Sequence, residues 1–437
     1  MTVHAPQDCP AQEPIRRLKC YLVSFWVDFC NDTPLFLGQD SACCNDKRGW
    51  KKRCSTLRQA LEAYARGDGP LPEGIHNPGE KLLWLAALDS VIPNLSNQQS
   101  GHRSPPMRFI INGQSWNLVR RHRPLGPIHF QKQGGHLRNY VRHHHIFPEV
   151  ERGIKLTIRP LHSTGLRLRL ETIAQAQEGV LRCYLGSFPD GTAPDWGDKP
   201  GGNCRCQELI DPDLRERSLL AALEAAKELK ANLVIFPELT LTPQLRECVQ
   251  TWLYDNQDHG FAMLIPGSFH EMVEPSQDPI NRAVLLSGLG ETLLQHNKII
   301  PFSTAGMHEN ITSGDTLTLL DSPIGLIALA ICRDFLESDD NTKLPWQSVA
   351  PHWALIPSMS EIQGVRAHLR QAKILAMACG TRALVPNQSL DGNFPAGQPI
   401  YSETSPSKHG FAVWPEVNGT PVVTHVTPWE RLFLIPL

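Results

Sequence analysis

Three side chains of different chemistry stand at the ends of apolar runs in this chain. They are the Glu238 carboxylate after 233–236, the Lys298 ammonium after 292–295, and the Cys332 thiol after 325–331. A thiol attacks only as thiolate, and a free cysteine near pKa ~8.5 is mostly neutral at pH 7, so it needs a base or cation beside it. A carboxylate at a buried strand end can be that base, and an ammonium can hold a developing oxyanion. Nucleophile, base and oxyanion partner are thus all available. They lie 60 and 34 positions apart, so only a fold can bring them together.

The elements that must position them read as a layered α/β or α+β domain. A strand is predicted at 180–188. Asp211-Pro212 has the form of an N-cap followed by proline at the first helical position, opening a helix through Leu219, Leu220, Leu223 and Leu229. Further strands are predicted at 233–236, 262–264, 283–286, 292–295, 317–319, 325–331 and 354–356. A helix over 366–379 stops at Gly380, and 383–385 resumes the sheet. Upstream, 15–29, 55–64 and 80–91 carry helical spacing, with Gly67-Asp68-Gly69-Pro70 separating two of them. Phe109-Ile110-Ile111, Asn112-Gly113 and Trp116-Asn117-Leu118-Val119 spell a β-hairpin. Residues 156–158 and 166–170 alternate strictly, which predicts two half-buried strands with an arginine-rich outer face. The expected organisation is a helical region 1–100, a basic β-rich segment 101–175, and a domain over 178–437.

Phe236-Pro237-Glu238, Asn297-Lys298-Ile299-Ile300-Pro301-Phe302 and Cys332-Arg333-Asp334, in this order and each at a strand end, resemble the carbon–nitrogen hydrolase (nitrilase) superfamily. Leu355-Ile356-Pro357-Ser358 and Val385-Pro386-Asn387-Gln388 extend the resemblance over the C-terminal domain. It implies a four-layer α-β-β-α sandwich and a Glu-Lys-Cys catalytic set without metal or organic cofactor. On that pattern Cys332 is the nucleophile and Glu238 the general base. Lys298 and the backbone N–H of Arg333 stabilise the oxyanion, and the intermediate is a thioester. Many members add a second glutamate after the lysine. Glu309, in Gly306-Met307-His308-Glu309, is the one candidate before Gly314, and it comes later than usual. The Cys-Arg-Asp wording resembles amidase-type branches more than nitrilases, which commonly have Trp and Glu after the nucleophile, and so points to an amide or ureide substrate. The family's habit of pairing domains implies a homodimer.

Hydrophobic residues make up 41% and charged residues 20% of the 437, ordinary for a globular protein with a substantial core. The formal net charge of −2 hides an asymmetry: residues 101–170 hold thirteen Lys/Arg against Glu149 and Glu151 alone. Arg120-Arg121-His122-Arg123, Arg138 and Arg142 interleave there with Trp116, Phe130 and Tyr140, as single-stranded nucleic acid binding would use. The alternative function is therefore a regulatory or defence-associated module with a nucleic-acid-binding basic region. A basic surface that docks on an acidic one is the simpler expectation.

The first residues lack a signal pattern, and no apolar run is long enough to span a bilayer, so a cytoplasmic protein with reduced cysteines is expected. Cysteines 9, 20, 30, 43, 44 and 54 include no Cys-x-x-Cys pair, and Cys204-x-Cys206 reads as a surface loop. His143-His144-His145, with His122, His129 and His136, reads as a solvated basic loop rather than a metal site. No Gly-x-Ser-x-Gly elbow or phosphate-binding loop is present.

Overall fold

A computed structural model describes residues 13–31, 47–72, 78–100, 105–122, 140–176, 179–188, 194–196, 203–273, 278–304, 307–336, 344–388, 407–416, 420–427 and 430–437. The chain divides into two compact units. The first comprises residues 1–150 with 348–350 and 417–419; the second holds the remainder.

The first unit packs three helices, Pro14–Asn31, Lys47–Arg66 and Pro78–Ser100, with a three-stranded antiparallel sheet. Leu18, Leu22, Phe25, Leu85 and Leu88 share one core with Phe109 and Trp116. The hairpin forms as the sequence predicts: Met107–Ile111 pairs with Gln114–Arg120, setting Phe109 opposite Trp116. Both turn residues have positive φ, Asn112 at 52° and Gly113 at 76°, which matches the right-handed twist of the strands.

The second unit is built on two sheets. One has the order Ser268–Glu271, Ile280–Ser287, Met263–Ile265, Leu233–Ile235, Val180–Leu185, Leu432–Pro436, with Thr292–Asn297 also paired to Ile280–Ser287. The other runs Pro421–His425, Gly410–Pro415, Arg382–Pro386, Trp353–Leu355, Gly325–Leu329, Thr316–Ser322, Ile154–Pro160, Val150–Glu151. Alternation assigns each strand's faces. Leu233, Ile235, Leu285, Ile327, Leu329, Leu355 and Leu384 meet in one core between the sheets. Val234, Phe236 and Leu264 point the other way, against Leu219 and Leu223 of helix Pro212–Glu228 and Val249 and Leu253 of helix Pro243–Asp255. Helix Ile362–Cys379 covers the second sheet at strands Arg382–Pro386 and Gly410–Pro415. The result is a mixed α/β unit layered α-β-β-α, in which each fully buried Leu or Ile contributes about 1.5–3 kcal/mol of apolar burial.

Local signals explain the element ends. The Asp211 carboxylate accepts from Leu214 N at 2.9 Å, capping its helix with Pro212 behind it. Gly380 ends the last long helix at φ 69°. One expectation fails: residues 166–170 are not a strand but lie in helix Thr164–Gln175. Three leucines alternating with two arginines fit either period. Burial of Leu166, Leu170 and Ala174, four residues apart, with Leu168 54% exposed, shows that the helical stripe prevails. No helix among the described residues is long and apolar enough to cross a membrane.

Candidate active site

Glu238 stands just past strand Leu233–Ile235, where the chain turns sharply. Leu239 adopts φ 52°, and the Thr240 hydroxyl donates to the Pro237 carbonyl at 2.7 Å. Gly267 packs directly on this turn at φ 73°; a Cβ there would lie 2.2 Å from the Pro237 carbonyl oxygen. Gly267→Ala must therefore push the backbone that presents Glu238. The expected result is a loss of at least about 1 kcal/mol in urea denaturation, with catalytic turnover reduced as well.

Lys298 follows strand Thr292–Asn297 and is fixed at both ends of its peptide. Its N–H donates to Asn281 O at 2.8 Å, and its carbonyl accepts from Gly314 N at 2.9 Å. Cys332 opens a single 3-10 turn, Cys332–Phe335, shortly after strand Gly325–Leu329, at φ 44°. Such a conformation in a non-glycine residue costs on the order of 1–3 kcal/mol and needs firm bracing. Asp334 supplies it. Its buried carboxylate accepts from His296 Nε2 at 2.7 Å, Ile300 N at 2.8 Å, Ile299 N at 3.1 Å and Ile331 N at 3.3 Å. The Cys332 turn is thereby tied to the two residues directly after Lys298.

The Cys332 peptide is also held from the second sheet's helix side. Its N–H donates to Pro357 O at 2.9 Å, and its carbonyl accepts from His368 Nε2 at 3.0 Å. Complete burial lowers the His368 pKa to about 4, more than its hydrogen bond to Cys332 and the nearby Glu238 charge can raise it. The unfolded imidazole takes a proton near pH 6.5 while the folded one stays neutral down to about pH 4. Between these values the unfolded state binds more protons, so stability falls as pH is lowered. His368→Gln is expected to flatten the denaturation-midpoint curve across that window; an unchanged slope would contradict the assignment.

Glu238, Lys298 and Glu309 form one buried cluster, each 2% exposed. Lys298 Nζ donates to Glu238 Oε1 at 2.8 Å and to Glu309 Oε2 at 2.6 Å. The Asn281 side-chain amide bridges the same carboxylates, donating to an oxygen of each at 3.0 Å. The two acids are not equivalent. Glu309 also accepts from His270 Nε2 at 3.0 Å and Phe302 N at 2.7 Å, so four donors saturate it. Burial works against its ionised form, but Lys298 and His270 outweigh burial and hold it well below the ordinary carboxylate range. The His270 tautomer follows from its other nitrogen: Nδ1 accepts from Cys206 N at 2.8 Å, so the proton is on Nε2.

Glu238 is less fully bound. Its Oε2 takes a single donor, Met359 N at 3.0 Å, which leaves a lone pair for a proton. Burial, then negative charge at Cys332, raises its pKa well above the ordinary value despite Lys298. Lys298 is penalised by burial, yet the two carboxylates hold it well above its ordinary value. Together these make an ammonium locked to Glu309 and a carboxyl at Glu238 able to gain and lose a proton.

The segment 358–360 brings thiol and carboxyl together. Ser360 Oγ lies 3.3 Å and Ser358 Oγ 3.5 Å from Cys332 Sγ, while Met359 between them donates to Glu238. Asn387 clamps this segment, accepting from Ser360 N at 2.8 Å and donating to Ser360 O at 3.0 Å. Among the described residues no acceptor takes the Arg333 backbone N–H, whereas its guanidinium donates to Pro301 O at 3.2 Å and Ser303 O at 3.4 Å.

Every site residue named from the sequence, Glu238, Lys298, Glu309, Cys332 and Arg333, is thus in or beside this cluster. Sequence reasoning missed Asn281, His270, Asp334, Ser358, Ser360, His368 and Asn387.

Two other sequence readings need correction. Cys204 and Cys206 are buried rather than a surface feature, because strand Asn203–Cys204 pairs with Met307–Glu309 and Cys206 N caps His270. His144 and His145 are buried in strand His144–Pro148 rather than solvated, since the Asp89 carboxylate accepts from Arg142 N, His143 N and His144 Nδ1. Trp116 lies in the core, and Tyr140 packs edge-on against Trp50, so neither ring is a free stacking platform. Arg123, His129, Phe130, His136 and Arg138 lie outside the described residues, as do Cys9, Cys43 and Cys44. Among the described residues no group of three His, Cys, Asp or Glu side chains is placed to hold a metal ion.

Residues 211–336 match the family model described as Carbon-nitrogen hydrolase. No curated protein matches the sequence. Solved structures similar to this chain include an amidase from Nesterenkonia sp., at 15% identity over 59% of this chain and 90% of that one, with a TM-score of 0.40. A glutamate variant of the strain AN1 amidase, bearing an acetamide moiety on its active-site cysteine, is 14% identical over 60% and 92%, at TM-score 0.42. A cysteine-to-alanine variant in complex with butyramide is 15% identical over 59% and 90%, at TM-score 0.40.

Proposed function

We propose, from the match of residues 211–336 to the carbon–nitrogen hydrolase family, that this chain hydrolyses an amide through a thioester on Cys332. The observation that carries the reading is the buried cluster in which Glu309 is saturated by four donors while Glu238 keeps a free lone pair beside the thiol.

Glu238 takes the Cys332 proton as sulfur adds to the amide carbon. The carbonyl oxygen becomes an oxyanion, met by Lys298 Nζ and the Arg333 N–H. Collapse breaks the C–N bond, and Glu238 returns its proton to the departing amine. Water then gives a proton to Glu238 and attacks the thioester; the second collapse releases a carboxylic acid and restores the thiol. Asn281 and Glu309 keep Lys298 aligned throughout, and the two serine hydroxyls can donate to the sulfur when it is anionic.

The test is ammonia release from a panel of primary amides, with the corresponding nitriles and ureides in parallel. Turnover of amides supports the reading. Release from nitriles alone, or from nothing in the panel, would contradict it.

A further inference from the structure

His368 lies on the buried face of helix Ile362–Cys379 with Val365, Leu369 and Ala372, closed off from solvent, its ring stacked on Phe335 at 6.3 Å. Its Nε2 is 3.0 Å from the Cys332 carbonyl oxygen, while among the described residues Nδ1 has no hydrogen-bond partner. A carbonyl can only accept, so the proton is on Nε2 and Nδ1 is a bare buried acceptor. Burial lowers the pKa to about 4, which keeps the ring neutral at pH 7. Leucine would fill the same place without leaving an acceptor unsatisfied, so core packing alone does not account for an imidazole here.

The hydrogen bond that His368 makes falls on one particular peptide. The Cys332 carbonyl and the Arg333 N–H are the two ends of a single planar group and point in opposite directions across it. His368 holds the carbonyl end, and among the described residues no acceptor takes the N–H end. The backbone donors on either side are already used: Cys332 N donates to Pro357 O at 2.9 Å and Asp334 N to Ile331 O at 3.0 Å. We infer that His368 is a positioning residue for the oxyanion hole: it fixes the plane of the Cys332–Arg333 peptide from the buried side and so aims the Arg333 N–H at the substrate carbonyl oxygen. Donation to the carbonyl also polarises the peptide, which makes its N–H a stronger donor. The benefit arises where the oxygen becomes anionic, in the transition state, and not in substrate binding or in the thiol itself. This role presupposes the amide hydrolysis proposed for Cys332.

The test compares His368→Leu, which has no donor, with His368→Gln, whose amide retains one. The readouts are kcat and KM on a primary amide that the wild type turns over, and Ki for the aldehyde of the same carbon skeleton. In the aldehyde adduct the Cys332 sulfur bonds to the carbonyl carbon, the carbonyl electron pair moves to oxygen and the thiol proton passes to Glu238. Its Ki therefore reports the oxyanion hole with no bond to nitrogen broken. His368→Leu is expected to lower kcat and weaken aldehyde binding by about tenfold each, with KM within about twofold. His368→Gln is expected to stay within about threefold of the wild type in all three. Labelling of Cys332 by methyl methanethiosulfonate, in which the thiolate displaces methanesulfinate and no oxyanion forms at carbon, should keep its wild-type rate in both variants. Wild-type kcat and Ki in His368→Leu, an equal loss in both variants, or a labelling rate that falls as far as kcat would each overturn the role. Should His368→Leu not fold, nitrogen NMR of the histidine-labelled wild type decides: a proton on Nε2 alone is expected, and a proton on Nδ1 overturns the role. A wild type inert toward every amide strikes the amidase reading and this role with it, whereas an active wild type indifferent to His368→Leu strikes this role alone.

Discussion

Cys332→Ala is expected to remove amide turnover, a loss of about 10⁴-fold or more, while leaving the fold in place. Where nucleophile and base act as a unit, deleting the nucleophile removes nearly the whole covalent pathway. The structural cost is small because, among the described residues, the hydrogen bonds of Sγ are to the Ser358 and Ser360 hydroxyls, and alanine removes a single buried sulfur. The φ of 44° is held by bonds to the Cys332 peptide and to Asp334, none of which needs the thiol. Steady-state ammonia release with a parallel Tm measurement checks both halves. Turnover retained within tenfold would remove Cys332 from the chemistry.

Lys298→Met is expected to lower turnover by about 10²–10³-fold and to destabilise the chain by about 3–5 kcal/mol near neutral pH. Both effects come from the same geometry: one ammonium lies between two buried carboxylates at 2.8 and 2.6 Å. Without it, the folded state must retain unpaired carboxylates or protonate them. Their folded pKa values then rise above the unfolded ~4.3, the folded state binds more protons, and stability falls as pH rises. Urea denaturation should therefore show the deficit shrinking as pH drops into the carboxylate range. Adding Glu309→Gln should recover stability but not turnover. Recovery of both would mean that Lys298 serves the fold alone.

The strands that deliver Glu238, Lys298 and Cys332 were legible because each is an apolar run ending in a reactive side chain. The helix starting at Pro212 was legible because Asp211 and Pro212 are local signals that act within four residues. Residues 166–170 were misread because alternation over five residues cannot separate a strand from a helix whose buried stripe continues to Ala174. The supporting residues were hidden for a different reason. Asn281 acts across 43 positions to Glu238 and 28 to Glu309, and Asp334 reaches back to His296 over 38; no local pattern encodes such contacts. Glu309 looked displaced in sequence because it belongs to strand Met307–Glu309, which runs back antiparallel along Ser303–Thr304. In space the Phe302 N–H donates to its carboxylate. Ser358 entered only as the end of the Leu355-Ile356-Pro357-Ser358 resemblance and Ser360 not at all; the Asn387 clamp shows how their segment is held beside the thiol.

The central claim is that a covalent acyl group forms on Cys332, and intact-mass spectrometry of the acid-quenched protein tests it most directly. With a turned-over primary amide, the wild type is expected to gain the mass of the acyl group with loss of ammonia. The adduct should localise to the peptide containing Cys332, disappear in Cys332→Ala, and be released by hydroxylamine as a thioester is. Amide turnover with no adduct on the wild type under rapid quench, or an adduct of equal yield in Cys332→Ala, would contradict it.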